Sequence, residues 1–302
     1  MLEVYTYNAG KGDCIRVKFA ETHNIFIDTG VTRFAPKFKQ ICNKIIADNE
    51  TLDALILTHV DDDHIGGILA NLRNNSYKVL FKEVWMNHEG SASVGDIMLS
   101  TQQNNEVYAR LIQRGVKVKP MVKGTHYEVA GAAINTLWPE KVKTYAKKRR
   151  RDTALAHHRD YHLTLSALAN MPITQCDTSI NNKNSVIFTL GHEGHWLLFT
   201  GDAWADDVVR VSGKFDLIKL PHHGSVRNIK EEYQHHIRSG NFLICTDGVN
   251  HPDKQTIAKL EKWYGEINIF SPVAWWKKGF FMPGDREHNI NYYQKEGLVI
   301  AW

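Results

Sequence analysis

A dense group of potential metal ligands stands directly after a short apolar run. The run ALIL, residues 54–57, is followed after one threonine by HVDDDHIGG, which begins at His59. This loop brings together His59, Asp61, Asp63 and His64. Neighbouring carboxylates repel one another and lose hydration when buried, so three consecutive aspartates at a strand end need a compensating charge. A divalent cation supplies that charge most simply, and imidazole and carboxylate groups are suitable ligands for it.

The alternative for the aspartates is a solvated acidic loop that caps the following helix, which Asp does well. The flanking histidines and the glycine pair at 66–67 favour the metal site. The spacing divides the ligands between two metals, with His59 and Asp61 facing one and Asp63 and His64 facing the other. The glycines would allow the next helix to lie close beneath the site.

Two successive runs of strand and helix patterns surround this loop. The alternating segments VYTYN, CIRVKF and NIFID predict an antiparallel meander, which leads through the helical pattern PKFKQICNKIIADN to the buried strand ALIL. A second cycle starts near Asn184 with the strands SVIFTL and HWLLFT, the helix WADDVVRVSG and the strand DLIKL, and it ends with the helix PDKQTIAKLEKW and the strand EINIFS. We therefore predict an α/β fold in a single domain, residues 1–302, with a polar insertion at about 90–180.

Several ordered motifs resemble those of the metallo-β-lactamase superfamily. THVDDDHIGG resembles its HxHxDH motif with Asp61 in place of the middle histidine, and DTG at 28–30, TGD at 200–202 and LPHHGS at 220–225 follow in the expected order. The resemblance covers about residues 1–255. NAGKGDCI, the segment Asn184-Ser185-Val186 and HHGS look most like the hydrolase domain of ComEC-type competence proteins and their soluble relatives.

The resemblance implies a four-layer αββα sandwich, here with a basic helical insertion, and a two-metal site. It makes Asp202 the carboxylate that bridges both metals, although Asp202 could instead cap the following helix. One histidine of the pair would ligate a metal and the other would contact either substrate or a ligating group, and we favour His222 as the ligand. The implied metal ligands are His59, Asp61, Asp63, His64, Asp202, His222 and His223. Asp63, His64 and Asp202 carry the catalytic role among them.

Other positions are assigned supporting roles. Asp28 and Asp13 either orient the ligating groups or are ordinary turn carboxylates. Asn184 and Ser185 stand where much of the superfamily has a further histidine, which leaves an oxygen-rich first metal site. The cofactors expected are therefore two divalent ions, Zn²⁺ or Mn²⁺, with Mg²⁺ also compatible. The residues expected to bind substrate are Asn184, Ser185, Ser225, His251, Lys148, Arg149 and Arg150.

A hydroxide between two cations would serve as the nucleophile, since such a pair lowers the pKa of water. The basic run KVKTYAKKRRR at 141–151 is either a solvated face or a polyanion-binding segment, which makes nucleic acid or a nucleotide the expected substrate. Trp275, Trp276 and Phe280 pack in the core or stack on a base. His251 either contacts substrate or is an ordinary surface histidine.

Three functions agree with these patterns. The first is a metal-dependent phosphodiesterase or nuclease. The second is a peptidase or an ester or lactone hydrolase, for example an effector with a protein partner from a bacterial defence or regulatory operon. The third is a regulatory module with a degenerate site.

Composition narrows the setting of the protein. The net charge of +4 is too small to identify a partner, and four widely spaced cysteines predict reduced thiols and no disulfide framework. No apolar stretch reaches the roughly 20 residues of a membrane span, and the first residues lack the pattern of a secretion signal. We expect a cytoplasmic protein without a membrane partner, whose oligomeric state the sequence leaves open.

Overall fold

The computed structural model describes residues 1–88, 99–141, 160–285 and 288–302, and the side chains of residues 99–102 are not described. Within these ranges the strands are β1 (Leu2–Thr6), β2 (Ile15–Phe19), β3 (His23–Ile27), β4 (Thr51–Leu57), β5 (Glu83–Met86), β6 (Lys117–Lys119), β7 (His126–Val129), β8 (Ala132–Trp138), β9 (Ile187–His192), β10 (His195–Phe199), β11 (Gly213–Lys214), β12 (Leu217–Lys219), β13 (Ile237–Arg238), β14 (Asn241–Leu243), β15 (Ile267–Ser271), β16 (Ile290–Gln294) and β17 (Gly297–Ala301). The helices are α1 (Ala35–Ala47), α2 (Asp62–Arg73), α3 (Leu99–Gln113), α4 (Leu165–Asn170), α5 (Ile180–Lys183), α6 (Ala205–Val208), α7 (Tyr233–His236) and α8 (Lys254–Tyr264).

The first large sheet has the strand order β17-β1-β2-β3-β4-β5-β6. Strands β1, β2 and β3 form the expected antiparallel meander, and β3, β4, β5 and β6 are parallel neighbours. Helix α1 connects β3 to β4 and buries Phe38, Cys42 and Ile45, which recur at helical spacing. A proline in its first turn suits the start of a helix, because that position has no internal partner for an N–H group.

The second large sheet has the order β16-β15-β14-β12-β10-β9-β8-β7. Its strands from β7 to β10 pair antiparallel, whereas β10, β12, β14, β15 and β16 pair parallel. Strands β11 and β13 form a separate parallel pair. The parallel strands of both sheets direct their carboxyl ends to loops that carry the candidate ligands, as ligand sites in parallel sheets generally do.

Three apolar clusters define the layers. The central cluster joins the facing sides of the two sheets and includes Val17, Ile56, Phe188 and Phe199. A second cluster packs α1, α2 and α3 onto the outer face of the first sheet, and a third packs α4 and α8 onto the outer face of the second. The order helix, sheet, sheet, helix is the αββα sandwich of the metallo-β-lactamase fold, which confirms the predicted fold class.

The structure differs from the sequence prediction at several elements. Strands β6, β7 and β8 lie at 117–138, inside the region expected to be an insertion, and they extend both sheets. The predicted helix WADDVVRVSG is only the four residues of α6. Strand β17, in the aromatic tail, pairs with β1, a long-range contact that a local pattern does not reveal.

Two further observations concern the cysteines and the lengths of the helices. Cys14, Cys42 and Cys245 are buried, Cys176 is exposed, and all four are free thiols. Across the described ranges, every helix is too short or too polar to cross a membrane.

Candidate metal centre

The ends of β3 and β4 are fastened together by Asp28. Asp28 has a φ of 56°, a left-handed conformation that Asp adopts more readily than most residues. Its carboxylate accepts hydrogen bonds from the Thr58 backbone N–H at 2.8 Å and from the Thr58 hydroxyl at 2.6 Å. The side chain that follows, His59, is thereby held at the carboxyl end of β4.

His64 lies in the first turn of α2 and is fully buried. Its Nδ1 is 2.7 Å from Asp28 Oδ2, and its ring centroid is 3.9 Å from that of His59. Gly67 lets α2 pack closely against the loop after β3, because a Cβ added at Gly67 would lie 2.1 Å from Thr29 O. The sequence prediction that the glycines allow a close helix therefore agrees with the packing.

Asp202 occupies the middle of the cluster at the end of β10. Its backbone N–H donates to Ser185 Oγ at 3.1 Å, which fixes the loop. Asp202 Oδ1 is 3.4 Å from His64 Nε2, and Asp202 Oδ2 is 3.8 Å from His59 Nε2. One carboxylate thus faces both imidazoles of the 59–64 loop across the gap between the sheets.

The histidine pair enters from the loop after β12 with an unusual backbone. His222 and His223 have φ values of 47° and 55°, and their ring centroids lie 5.9 Å apart. His223 Nδ1 is 2.9 Å from the Cys245 carbonyl and 3.2 Å from Asp13 Oδ1, while its Nε2 lies 3.8 Å from Asp63 Oδ2. His223 Nε2 also lies 3.6 Å from Asp202 Oδ2.

His222 approaches Asp202 from another side. Its Nε2 is 3.8 Å from Asp202 Oδ2, and its Nδ1 is 3.3 Å from Asp177 Oδ2 and 3.1 Å from Asn228 Oδ1. The sequence favoured His222 as the ligand of the pair. His223 belongs to two groups of convergent potential ligand atoms, one with Asp63 and His64 and one with Asp13 and Asp202, while His222 reaches Asp202 from its own side.

Buried polar atoms without hydrogen-bond partners test whether these residues suit a metal. In the described part of the chain they include Nε2 of His59, His64 and His223 and Oδ1 of Asp202. Leaving such atoms unpaired is costly unless something else binds them. Potential ligand atoms of His59, His64 and Asp202 lie within 4.8 Å of one another, as do those of Asp63, His64 and His223. The donor set therefore fits divalent cations.

The charges in the site shift several pKa values. Burial alone would raise the pKa of Asp202, but His223, His64 and His222 hold it well below its usual range. Burial alone would lower the pKa of His64, but Asp202 and Asp28 raise it well above its usual range. Burial and the neighbouring His64 together lower the pKa of His59.

The pKa of His222 is raised in the same way as that of His64. Burial opposes protonation of His222, but Asp202 and Asp177 raise its pKa to about 9. These imidazoles therefore carry protons that a bound metal would displace.

Sequence reasoning missed two lysines of the site. Lys219 is the last residue of β12 and is buried. Its ammonium contacts the Asp13 carboxylate and donates a hydrogen bond to Gly201 O at 2.8 Å. The same ammonium lies 3.7 Å from Asp202 Oδ1. Lys11 Nζ is 3.1 Å from Asp63 Oδ2. A lysine inside the apolar run DLIKL was the available signal for Lys219. Asp177, by contrast, has no local pattern that marks it.

Three residues expected to bind substrate are buried. The hydroxyls of Ser185 and Ser225 accept backbone N–H groups of Asp202 and Arg227. The side-chain amide of Asn184 has no hydrogen-bond partner among the described residues. Their contact with substrate stays a prediction.

Asp61 and His251 have distinct positions. Asp61 accepts from Asn181 Nδ2 at 3.0 Å and lies outside the groups of convergent ligand atoms found among the described residues. His251 lines the cavity above the site, with its ring 5.1 Å from that of His222. Trp275, Trp276 and Phe280 are buried core residues.

Most of the basic run lies outside the described residues. This applies to three expected substrate contacts, Lys148, Arg149 and Arg150. The described chain resumes at Asp160, whose carboxylate accepts from the Gln255 N–H at 2.7 Å. Tyr161 donates to the Pro252 carbonyl at 3.3 Å, one residue after His251.

Comparisons with known proteins found a family model that matches part of the chain and several solved structures of low sequence identity. A model of the metallo-beta-lactamase superfamily matches residues 7–80, which include Asp13, Asp28 and the 59–64 loop. No curated protein matches the chain. Among solved structures, the metallo-beta-lactamase fold protein YhfI from Bacillus subtilis is 12% identical, with a TM-score of 0.48 and complete coverage of both chains.

Two further structures match part of the chain. Zn²⁺-bound PqqB from Methylobacterium extorquens is 16% identical with a TM-score of 0.39, and the match covers 69% of this chain and 59% of PqqB. A mutant metallo-beta-lactamase from Cronobacter sakazakii is 13% identical with a TM-score of 0.34, and the match covers 66% of this chain and 61% of that enzyme. This chain thus spans less than two thirds of both relatives. The αββα layers and the family model over residues 7–80 together support the metallo-β-lactamase superfamily.

Proposed function

We propose that the protein is a hydrolase that works with two divalent metal ions. The observation that carries the proposal is the set of unpartnered buried atoms, Nε2 of His59, His64 and His223 with Oδ1 of Asp202, at the meeting point of both sheets. Four such atoms in a folded core are costly unless a ligand binds them. Zn²⁺ and Mn²⁺ both accept this mixture of imidazole and carboxylate donors.

We assign the ligands to two sets around Asp202, whose Oδ2 lies 3.6–3.8 Å from Nε2 of His59, His222 and His223. The first consists of His59 and His222, each with Nε2 3.8 Å from Asp202 Oδ2. The second consists of Asp63, His64 and His223, and Asp202 is shared by both. In this arrangement His222 supplies the imidazole that the Asn184-Ser185 segment lacks, and each histidine of the pair serves a different metal.

When bound, such a pair of cations activates water and neutralises charge that develops on the bond being cleaved. The protein groups prepare that chemistry. Asp28 orients His64, the Cys245 carbonyl and Asp13 orient His223, and Asp177 and Asn228 orient His222. Partners of this kind fix the ring position of a ligating histidine and raise its basicity. His251 at the cavity rim is suited to contact substrate.

Within this class we favour a phosphodiesterase or nuclease. The contacts of Asp160 and Tyr161 join the described chain to the segment that follows His251. The basic run 141–151 ends nine residues before Asp160 in the sequence, and a run of this charge would attract a polyanion and make binding dependent on salt. Peptide, ester or lactone hydrolysis uses the same ligands and is the second candidate, and a partner from a defence or regulatory operon would belong to that case.

The test is hydrolysis by purified protein with added Mn²⁺ or Zn²⁺. Bis-p-nitrophenyl phosphate and single- and double-stranded nucleic acid are compared with a peptide and a lactone. We expect metal-dependent cleavage of the phosphodiesters and its loss in a His59→Ala/Asp63→Ala variant. The matched control is His235→Ala/Asp48→Ala, which changes exposed residues of the same types.

Faster cleavage of the peptide or lactone would move the assignment to that class. Fewer than about one divalent ion per chain under replete conditions would favour a regulatory module with a degenerate site.

A further inference from the structure

We propose that Lys11 binds an anionic oxygen of the substrate directly beside the metal centre, which makes the site selective for phosphate-like groups. The inference rests on the proposed function and deepens it. It assigns a substrate-binding role to Lys11, which lies in the segment NAGKGDCI and belongs to neither proposed ligand set.

The backbone that carries Lys11 is fixed against the ligand loop. A Cβ added at Gly12 would lie 1.7 Å from the Asp63 carbonyl oxygen, so a side chain there would push the two segments apart. The Asp13 N–H donates to the same Asp63 oxygen at 3.2 Å, and the Gly30 N–H donates to Asp13 O at 2.7 Å. The loop at 10–13 is therefore clamped between the ends of β3 and α2, and the origin of the Lys11 side chain is set.

The ammonium of Lys11 reaches the site and remains accessible. Its Nζ is 3.1 Å from Asp63 Oδ2, while its side chain is 44% exposed and that of Asp63 is 15% exposed. Lys219, the other lysine of the centre, is instead buried against Asp13 and cannot meet a substrate. Lys11 thus presents a positive charge at the mouth of the centre.

The cavity at this mouth has a volume of about 90 Å³. Its lining consists of Lys11, Asp63, His222, His223, Thr246, Asp247, Asn250 and His251. Among these lining residues of the described chain, Lys11 alone carries a permanent positive charge. A cavity needs only about 10–15 Å³ of such volume to hold a water molecule, so this one has room for a small anionic group.

The pairing with Asp63 gives Lys11 its place in the reaction. Asp63 is a proposed metal ligand, so its negative charge is directed to the cation when the centre is loaded. The three N–H donors of Lys11 then remain for an anionic oxygen, and a charge-assisted hydrogen bond of this kind is about twice as strong as a neutral one. Asp247 on the lining opposes a second negative group, although its Oδ1 is engaged by the Val249 N–H at 3.0 Å.

Direct binding of thymidine 5′-monophosphate to the Mn²⁺-loaded protein tests the inference, with thymidine as the neutral probe. Lys11→Met should raise the dissociation constant for the nucleotide at least tenfold, and Lys11→Arg should stay within about threefold of the unchanged protein. Thymidine binding should be equal in all three. Lys37→Met, on an exposed lysine of α1 paired with Glu296, is the matched control.

Metal content is measured on the same samples and should be equal. Unchanged nucleotide binding by Lys11→Met would overturn the proposal. So would loss of bound metal in parallel with loss of nucleotide, because Lys11 would then serve only to hold Asp63. The assay requires no turnover, so a chain that binds metal and cleaves nothing would refute the proposed function and still give a result for Lys11.

Discussion

Asp28 Oδ2 lies 2.7 Å from His64 Nδ1, and the opposite nitrogen of the same ring lies 3.4 Å from Asp202. A carboxylate at Nδ1 makes that nitrogen the donor, so the lone pair of the neutral ring is placed on Nε2, toward Asp202. The contact thereby determines which ring nitrogen of His64 can bind a cation. It also links the first sheet to the site through one side chain.

Replacing Asp28 by Asn should weaken metal binding. The amide keeps the shape but loses the charge that fixes the orientation of the His64 ring, and changes of this kind reduce metal affinity about ten- to a hundredfold. Calorimetric titration with Zn²⁺ or Mn²⁺ measures the effect. Asp62→Asn is the control, since Asp62 accepts from Thr32 Oγ1 and faces away from the ligands. Equal affinity in both variants would remove Asp28 from its orienting role.

The contiguous part of this site was accessible from the sequence, because four ligand types stood within residues 59–64 and ordered motifs placed Asp28 and Asp202 at strand ends. Side-chain direction was not accessible. The hydroxyls of Ser185 and Ser225 accept backbone N–H groups of Asp202 and Arg227, and closeness along the chain does not predict such contacts. Asp177 meets His222 only through the tertiary fold, so no local pattern could mark it.

The choice between the two adjacent histidines was equally hidden. Both residues have left-handed φ values, and both rings direct Nε2 toward Asp202 Oδ2, at 3.8 Å from His222 and 3.6 Å from His223. The same limit applies to the strands at 117–138, whose polar alternation reads as an irregular insertion until the edges of both sheets are known.

Paired substitutions should show that the adjacent histidines serve different metals. We expect His59→Gln/His222→Gln to retain about one divalent ion per chain, because both changes fall in one ligand set. His222→Gln/His223→Gln should retain less, since it damages both sets. Elemental analysis of protein dialysed against equal metal concentrations gives the counts. Equal loss in the two double variants would contradict the division into sets.

The metal-free protein should become less stable as pH rises from 6.5 to about 9. Asp202 and Asp177 raise the pKa of His222 from 6.5 to about 9, so the folded chain binds a proton that the unfolded chain releases over this window. The free energy of unfolding then falls with pH, by at most about 3 kcal/mol from this group. The pKa of His64 is also raised, which adds in the same direction.

The lowered pKa of His59 acts in a separate window. Below pH 6.5 the unfolded chain protonates His59 before the folded chain does, so the free energy of unfolding falls as pH falls. This happens below the window of His222 and does not offset its effect. Urea denaturation of chelator-treated protein at pH 6, 7, 8 and 9 measures the slope, and His222→Gln should reduce it. An unfolding free energy that rises with pH would contradict the assignment of the proton to His222. So would a pH dependence that is identical in His222→Gln.

Removing the buried ammonium of Lys219 should destabilise the fold. Its partner Asp13 is 1% exposed, and Lys219 holds the pKa of that carboxyl below its usual range despite burial. Lys219→Met would leave the buried Asp13 carboxylate without its ammonium partner and with only imidazole neighbours, a loss of up to about 3–5 kcal/mol in unfolding free energy. Lys219→Met/Asp13→Asn should recover part of the loss, because the orphaned charge is removed as well. A double variant less stable than the single one would show that the pair does not act as a unit.

The tight contact beneath α2 predicts a steric effect that does not depend on metal. A Cβ added at Gly67 would lie 2.1 Å from the Thr29 backbone oxygen, and backbone cannot move aside as a flexible side chain can. Gly67→Ala should therefore shift α2, displace His64 from Asp28 and lower the unfolding free energy by about 3 kcal/mol or more. Gly240→Ala is the control, since the nearest atom to its added Cβ is 4.0 Å away. Denaturant unfolding in the presence of chelator compares the two, and equal stability would show that the helix can retreat without cost.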